Sequence, residues 1–205
     1  MLSKGGRPLR DLVDWGNRAG PKRRDQWKDH HSAKECARAW LDATPALPSE
    51  IVAALSSHPD FGRVLTWAAE PEVRLPLDGR RGEPRNTDLL VEATDSFGPL
   101  LIAVEAKAGE AFDAPIGTVL AEALEHKALE HKIAAPRSGA LDRAVDLASA
   151  LLGPKQASQA GVGTLRYQLF TGAVGALRAA EDRGLSRAVL VIHAWVVGAC
   201  RCAPR

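Results

Sequence analysis

Several absences narrow this sequence before anything positive does. Cysteine is scarce: Cys36, Cys200 and Cys202 in 205 residues. An odd number without framework spacing predicts a reducing compartment and no disulfide scaffold. Cys200 and Cys202 also lack partner Cys or His residues at zinc-site spacing. No run approaches the roughly 18 apolar residues of a transmembrane helix, and Met1 to Leu12 has charges but no apolar stretch of the kind a secretory signal needs. The expectation is a cytoplasmic protein that does not engage a membrane. Net charge is almost absent, at +2, so bulk charge makes no case for nucleic acid and any basic patch must be local. Aromatic residues are only 5% of the chain. Trp15, Trp27, Trp40, Trp67 and Trp195 are scattered, which reads as core filling or pinning of the N-terminal segment rather than base stacking. There is no phosphate-cradling P-loop, no G-x-S-x-G elbow and no G-x-G-x-x-G. The histidines commit to no zinc: His126 and His131 are five apart, His30-His31 precede the first predicted helix, and His193 stands alone in an apolar strand.

What is present is an ordinary globular composition, 45% hydrophobic and 25% charged, in a chain long enough for one domain with a sizeable core. Residues 1–31 form a basic, Gly-rich arm packed on the domain, with Trp15 and Trp27 as anchors. From Arg7 to Arg38 nine Lys/Arg face five Asp/Glu, and Lys22, Arg23 and Arg24 are adjacent. Such a cluster suits phosphate contacts, and equally a solvated arm. Ser32-Ala33-Lys34-Glu35 has the S-x-x-E capping-box pattern and opens a helix over about 33–43, followed by a second over about 49–56. A strand is predicted near 72–77, a loop at 78–86, and a hairpin from Thr87–Thr94 and Leu100–Ala108 around the turn-rich 95–99 joint. Helical patterning follows as an insertion at about 117–153, including a helix over about 139–152. A long helix runs from Thr164 to about Arg183, and Arg187–Val197 reads as a buried strand. The tail, 198–205, is irregular, and a domain ending right after a core strand predicts further C-terminal structure. This order predicts an α/β fold with a mixed central sheet flanked by helices, its domain core spanning 32–197.

The hairpin carries the chemistry. Pairing Thr94 with Pro99 places residues whose numbers sum to 193 opposite each other, so Asp88 faces Glu105, about 4.5–5.5 Å away between Cβ atoms. Lys107, two residues on, points the same way. Glu92 shares that face farther down. The opposite face, Leu89, Val91, Ala93, Ile102, Val104 and Ala106, is wholly apolar. Two opposed carboxylates repel each other unless a cation lies between them. Hard oxygen donors of this kind suit Mg²⁺ or Mn²⁺, and a neighbouring lysine can hold an attacking water and offset transition-state charge. Phosphodiester hydrolysis is the reaction this trio fits best. The other reading of the trio is an exposed ladder of weak ion pairs.

An Asp, a turn, and then Glu105-Ala106-Lys107 closing an apolar strand resembles the PD-(D/E)XK nuclease superfamily, which includes restriction endonucleases, repair nucleases and Holliday-junction resolvases. The resemblance departs at the proline: Asn86-Thr87 precede Asp88, and the nearest proline is Pro84. It implies a restriction-endonuclease-like core of helix, three strands, helix and strand. It also implies a Mg (or Mn) ion held by Asp88, Glu105 and the Ala106 carbonyl, Lys107 as the catalytic lysine, and DNA as the substrate. Many members carry an acid on the first core helix, a role open to Glu35, which the capping box also explains. Many carry a glutamine on the helix after the lysine strand, a role open to Gln168, which a half-exposed helix flank also explains. Arg80, Arg81 and Arg85, just before Asp88, suit backbone phosphates or an ordinary loop. Homodimers are frequent among such nucleases, since cutting two strands takes two sites. The rival expectations are a nuclease fold without catalysis that binds nucleic acid or protein, and an enzyme acting on another phosphate ester.

Overall fold

The hairpin forms with the register that alternation predicts. In the computed structural model, which describes residues 1–75, 77, 85–133, 146, 147, 149, 151–153 and 161–196, strand β4 (Arg85–Asp95) pairs antiparallel with β5 (Gly98–Ala108). Thr94 lies opposite Pro99 and Leu89 opposite Val104. Gly98, at φ 121°, supplies the conformation that closes this two-residue turn. A longer strand than the sequence predicts, β3 (Val64–Leu75), pairs antiparallel with β4. The last strand, β6 (Ala188–Trp195), lies parallel to β5, an arrangement that needs the long connection through helices between them. The sheet order is β3-β4-β5-β6, a mixed four-stranded sheet.

Both faces are covered at the centre. Leu89, Val91, Ala93, Ile102, Val104 and Ala106 pack with Trp15, Ala37, Trp40 and Ile51 in one core. These last four come from α1 (Leu12–Ala19), α2 (Ser32–Ala43) and α3 (Ser49–Ser56). On the other face Leu90, Leu101 and Ala103 meet Leu75 and the alanines 176, 179 and 180 of helix α5 (Tyr167–Glu181), the helix numbered after α4 (Ile116–Ile133). The small residues bring α5 close: a β-carbon on Gly172 would lie 2.9 Å from Leu190 Cδ2. The first turn of that helix reaches the end of the sheet that carries Glu105, where Gln168 donates to the Glu105 carboxylate.

The N-terminal arm is built rather than loose. Ser3–Lys4 (β1) and Arg7–Pro8 (β2) form a small antiparallel sheet. The Leu2–Ala69 bridge lays the arm along the edge of β3, which shields a row of otherwise unpaired backbone groups. Asp11 caps α1 by accepting from the Asp14 N–H at 2.7 Å. The predicted capping box does not form: His31 is the N-cap, without a side-chain bond, and the Glu35 carboxylate accepts from the His30 N–H. The long helix also starts later than predicted, at Tyr167, after a short 3₁₀ turn at Val162–Thr164. Its first turn is held from outside, the Gln168 N–H donating to Asp113 Oδ1 at 2.8 Å. Most of the helix expected at about 139–152, the tail 198–205, Cys200, Cys202, Arg80 and Arg81 lie outside the described residues. Among the described residues no helix is long and apolar enough to cross a membrane.

Candidate active site

The β4–β5 ladder ends at Leu89 and Val104, and the next residues use side chains where backbone pairing stops. Asp88 Oδ2 accepts the Ala106 N–H at 2.7 Å. This locks the carboxyl group beside the strand that bears Glu105 and Lys107. Asp88 Oδ1 has no hydrogen-bond partner among the described residues. Burial, and then the charge of Glu105, push the Asp88 carboxyl up to about 7, against the pull of the Ala106 N–H.

Glu105 is 3% exposed and fully engaged. Its Oε1 accepts from Lys107 Nζ at 2.8 Å and from Gln168 Nε2. Its Oε2 accepts from the Arg85 guanidinium. Arg85 in turn donates to Thr171 Oγ1 at 2.9 Å, and Thr171 donates to the Gln168 carbonyl at 3.0 Å. Glu105, Arg85, Thr171 and Gln168 thus close a ring that ties the strand end to the first turns of α5. Lys107 also lies 5.2 Å from the centre of the Phe112 ring, an arrangement that favours a partly desolvated cation.

A cleft of about 530 Å³ opens over these groups. Asp88, Glu105, Lys107 and Gln168 line it, together with two further acids, Glu72 and Glu110. Glu72 sits in β3 at φ 51°, a left-handed conformation that costs a non-glycine residue energy. Burial raises its carboxyl, and the Asn86 amide bonded to it opposes that rise. Around the floor stand Lys4, Arg18, Lys22 and Arg74, the first three from the N-terminal arm. Acids at the bottom and cations at the rim suit an anion that reaches down to a central cation.

The residues singled out in the sequence are therefore divided. Asp88, Glu105, Lys107 and Gln168 converge, and the Gln168 side chain points at the sheet. Glu35 stands apart: its carboxylate accepts from the His30 N–H at 2.9 Å and from Arg38 at 2.8 Å, and it does not line the cleft. Arg85 has its side chain 8% exposed and lies behind Glu105 as a counter-ion rather than on a loop open to phosphates. Sequence reasoning missed Glu72 and Thr171; it offered the arm's cluster around Lys22 for phosphate contact without placing it at this cleft. Glu72 opened the strand predicted near 72–77, but that this strand pairs with β4 and so brings Glu72 to the Asp88 end was not read from the sequence. The single described free cysteine, Cys36, is buried and its thiol is raised by that burial, which removes it as a nucleophile.

No curated protein and no solved structure matches the chain. A family profile described as "Domain of unknown function (DUF6946)" matches residues 8–199, nearly the whole chain, and the protein belongs to that family.

Proposed function

We propose that this protein is a metal-dependent nuclease with a restriction-endonuclease-like core, hydrolysing DNA phosphodiester bonds at Asp88, Glu105 and Lys107. The observation that carries the reading is the half-buried Asp88 beside the buried Glu105, with Lys107 bonded to Glu105, in a cleft also lined by Lys22 and Arg74. The order α2, β3-β4-β5, α5, β6 is the core order of the resembled nucleases, with α3 and α4 added.

The donor set fits a hard divalent cation. Among the described residues Asp88 keeps one carboxylate oxygen unbonded, and burial and repulsion hold the carboxyls of Asp88 and Glu72 above their ordinary values. Acids in that condition gain from a cation. Among the described residues no three of His, Cys, Asp and Glu group closely enough to enclose an ion. A Mg²⁺ or Mn²⁺ held by Asp88, Glu105 and the Ala106 carbonyl would therefore keep waters, as Mg²⁺ commonly does. When bound, such an ion supplies an acidified water and neutralises phosphoryl charge. The chain's own groups do the rest. Lys107 donates to the attacking water or to a phosphate oxygen as charge builds there. Gln168 and Arg85 hold Glu105 in place, and Lys22 and Arg74 offer cations to the neighbouring phosphates.

One observation favours a rival reading. Glu105 is already satisfied by Arg85, Lys107 and Gln168, the arrangement expected of a nuclease fold that binds without cutting. Cleavage of supercoiled, linear and single-stranded DNA with Mg²⁺ or Mn²⁺ separates the two. The nuclease reading expects metal-dependent cutting that is lost in Asp88→Ala and Lys107→Ala. The rival expects binding without cutting.

A further inference from the structure

A second cleft, of about 590 Å³, adjoins the first and shares Gly20, Pro21 and Lys22 with it. It lies between α1 and the segment that follows, and Trp27 lines it. The indole rests on bare backbone: a β-carbon on Gly16 would fall 2.7 Å from its Nε1. Glycine at this helical position, where alanine is the better helix former by roughly 1 kcal/mol, makes room for the ring. Trp27 is anchored against the main core on one side and remains half-buried at the cleft. Val13, also lining it, is 69% exposed. Cations surround this apolar lining. Lys34 is already paired with Asp29 at 3.0 Å, whereas the exposed Lys22 and Arg24 make no ion pair among the described residues.

An aromatic ring flanked by unpaired cations is the equipment of a single-strand binding site: every base has a face to stack, and the cations follow the backbone. A duplex keeps its base faces stacked inside, so a ring that takes a base face selects an unpaired strand. Lys22, standing in both clefts, connects this site to the acid floor.

We propose that the cleft lined by Trp27 holds an unpaired nucleotide of the nucleic-acid strand whose backbone enters the active cleft, its base against Trp27 and its phosphates against Lys22 and Arg24. The inference rests on the nuclease reading for the identity of the adjoining cleft. It makes the N-terminal arm part of the substrate site and the substrate single-stranded, or frayed, at this point.

The test is fluorescence anisotropy of the full chain with a short labelled oligothymidylate and with a duplex of equal length. Excess chelator in the buffer allows binding to be read without hydrolysis. Strand binding tighter than duplex binding is expected. Trp27→Ala should weaken it by about fivefold or more, and Trp27→Phe, which keeps a ring, by no more than about threefold. Lys22→Ala and Arg24→Ala should each lower the slope of log affinity against log salt by about 0.7. Thermal unfolding of each variant accompanies the titrations. If Trp27→Ala does not fold, the phenylalanine variant and the two salt slopes decide. Strand affinity indifferent to Trp27 with unchanged slopes, or a preference for duplex, overturns the proposal. Asp88-dependent cleavage beside such indifference overturns this inference alone. Trp27-dependent strand binding without any cleavage leaves this site standing and removes the nuclease reading.

Discussion

At Asp88 two effects oppose each other, and the larger decides how the protein responds to pH. The Ala106 N–H favours the carboxylate, while burial and Glu105 favour the acid, and the balance lies with a carboxyl titrating at about 7. An unfolded chain holds that proton only below about pH 3.9. Between these values the native state binds more protons, so this contribution is complete below about pH 4 and is lost as pH rises through 7. Asp88→Asn keeps an oxygen for Ala106 and removes the charge. It should be more stable than the wild type at pH 8, by on the order of 2–4 kcal/mol, and urea unfolding should show the gap narrowing at pH 5. A gap that does not change with pH would contradict the assignment. Arg85 poses the converse case. Its side chain and that of Glu105 are 8% and 4% exposed, so Arg85→Met leaves a buried carboxylate without its main counter-ion. A loss of about 3–5 kcal/mol is expected, again read by urea unfolding. The two residues differ in legibility for a physical reason. Asp88, Glu105 and Lys107 were legible because strand alternation is local and sets the face of each side chain. The role of Arg85 depends on Thr171 and Glu105 brought to it by tertiary packing, so from sequence it looked like a loop cation.

At the level of the elements, the far end of the sheet is pinned by one side chain. Asp95, beyond the hairpin turn from the site, accepts from the backbone N–H groups of Gly62 and Phe97 and from both terminal nitrogens of Arg187. It thereby ties the β4–β5 turn to the entry of β6. Arg187 holds its carboxyl far below the ordinary range. Its contribution is therefore present above about pH 4 and is lost as pH falls toward the depressed value. Asp95→Ala should cost about 3–5 kcal/mol at pH 7 and less at pH 3, as measured by denaturant unfolding at the two pH values. Element identity was largely readable: the hairpin register follows from alternation alone, and the 49–56 helix forms at its expected bounds although its N-cap, Pro48, makes no side-chain bond. Helix α1 was not singled out, although Asp11 and Asp14 carry an N-terminal signal, because glycine and basic residues around it masked the apolar period. The capping box at Ser32 failed because the helix has His31 as its N-cap and the Glu35 carboxylate is taken by the His30 N–H and Arg38.

On the scale of the whole molecule, the arm and the sheet end make one working surface. The arm seals the β3 edge through Leu2 and supplies Lys4, Arg18 and Lys22 to the cleft over Asp88 and Glu105. A cation that binds the folded acid pair and not the unfolded chain stabilises the protein by mass action. Mn²⁺ at a hundred times its dissociation constant adds about 2.7 kcal/mol, or several degrees of melting temperature for a domain of this size. The account predicts that rise in the wild type and its absence in Asp88→Asn, by scanning calorimetry with and without Mn²⁺. The most direct test of the central claim remains DNA cleavage by the purified full chain with Mg²⁺ or Mn²⁺, run beside Lys107→Ala and Asp88→Ala. The account predicts cutting that requires the metal and falls at least a hundredfold in both variants. Cutting that survives both substitutions, or a wild type that neither cuts any DNA form nor binds Mn²⁺, would contradict it.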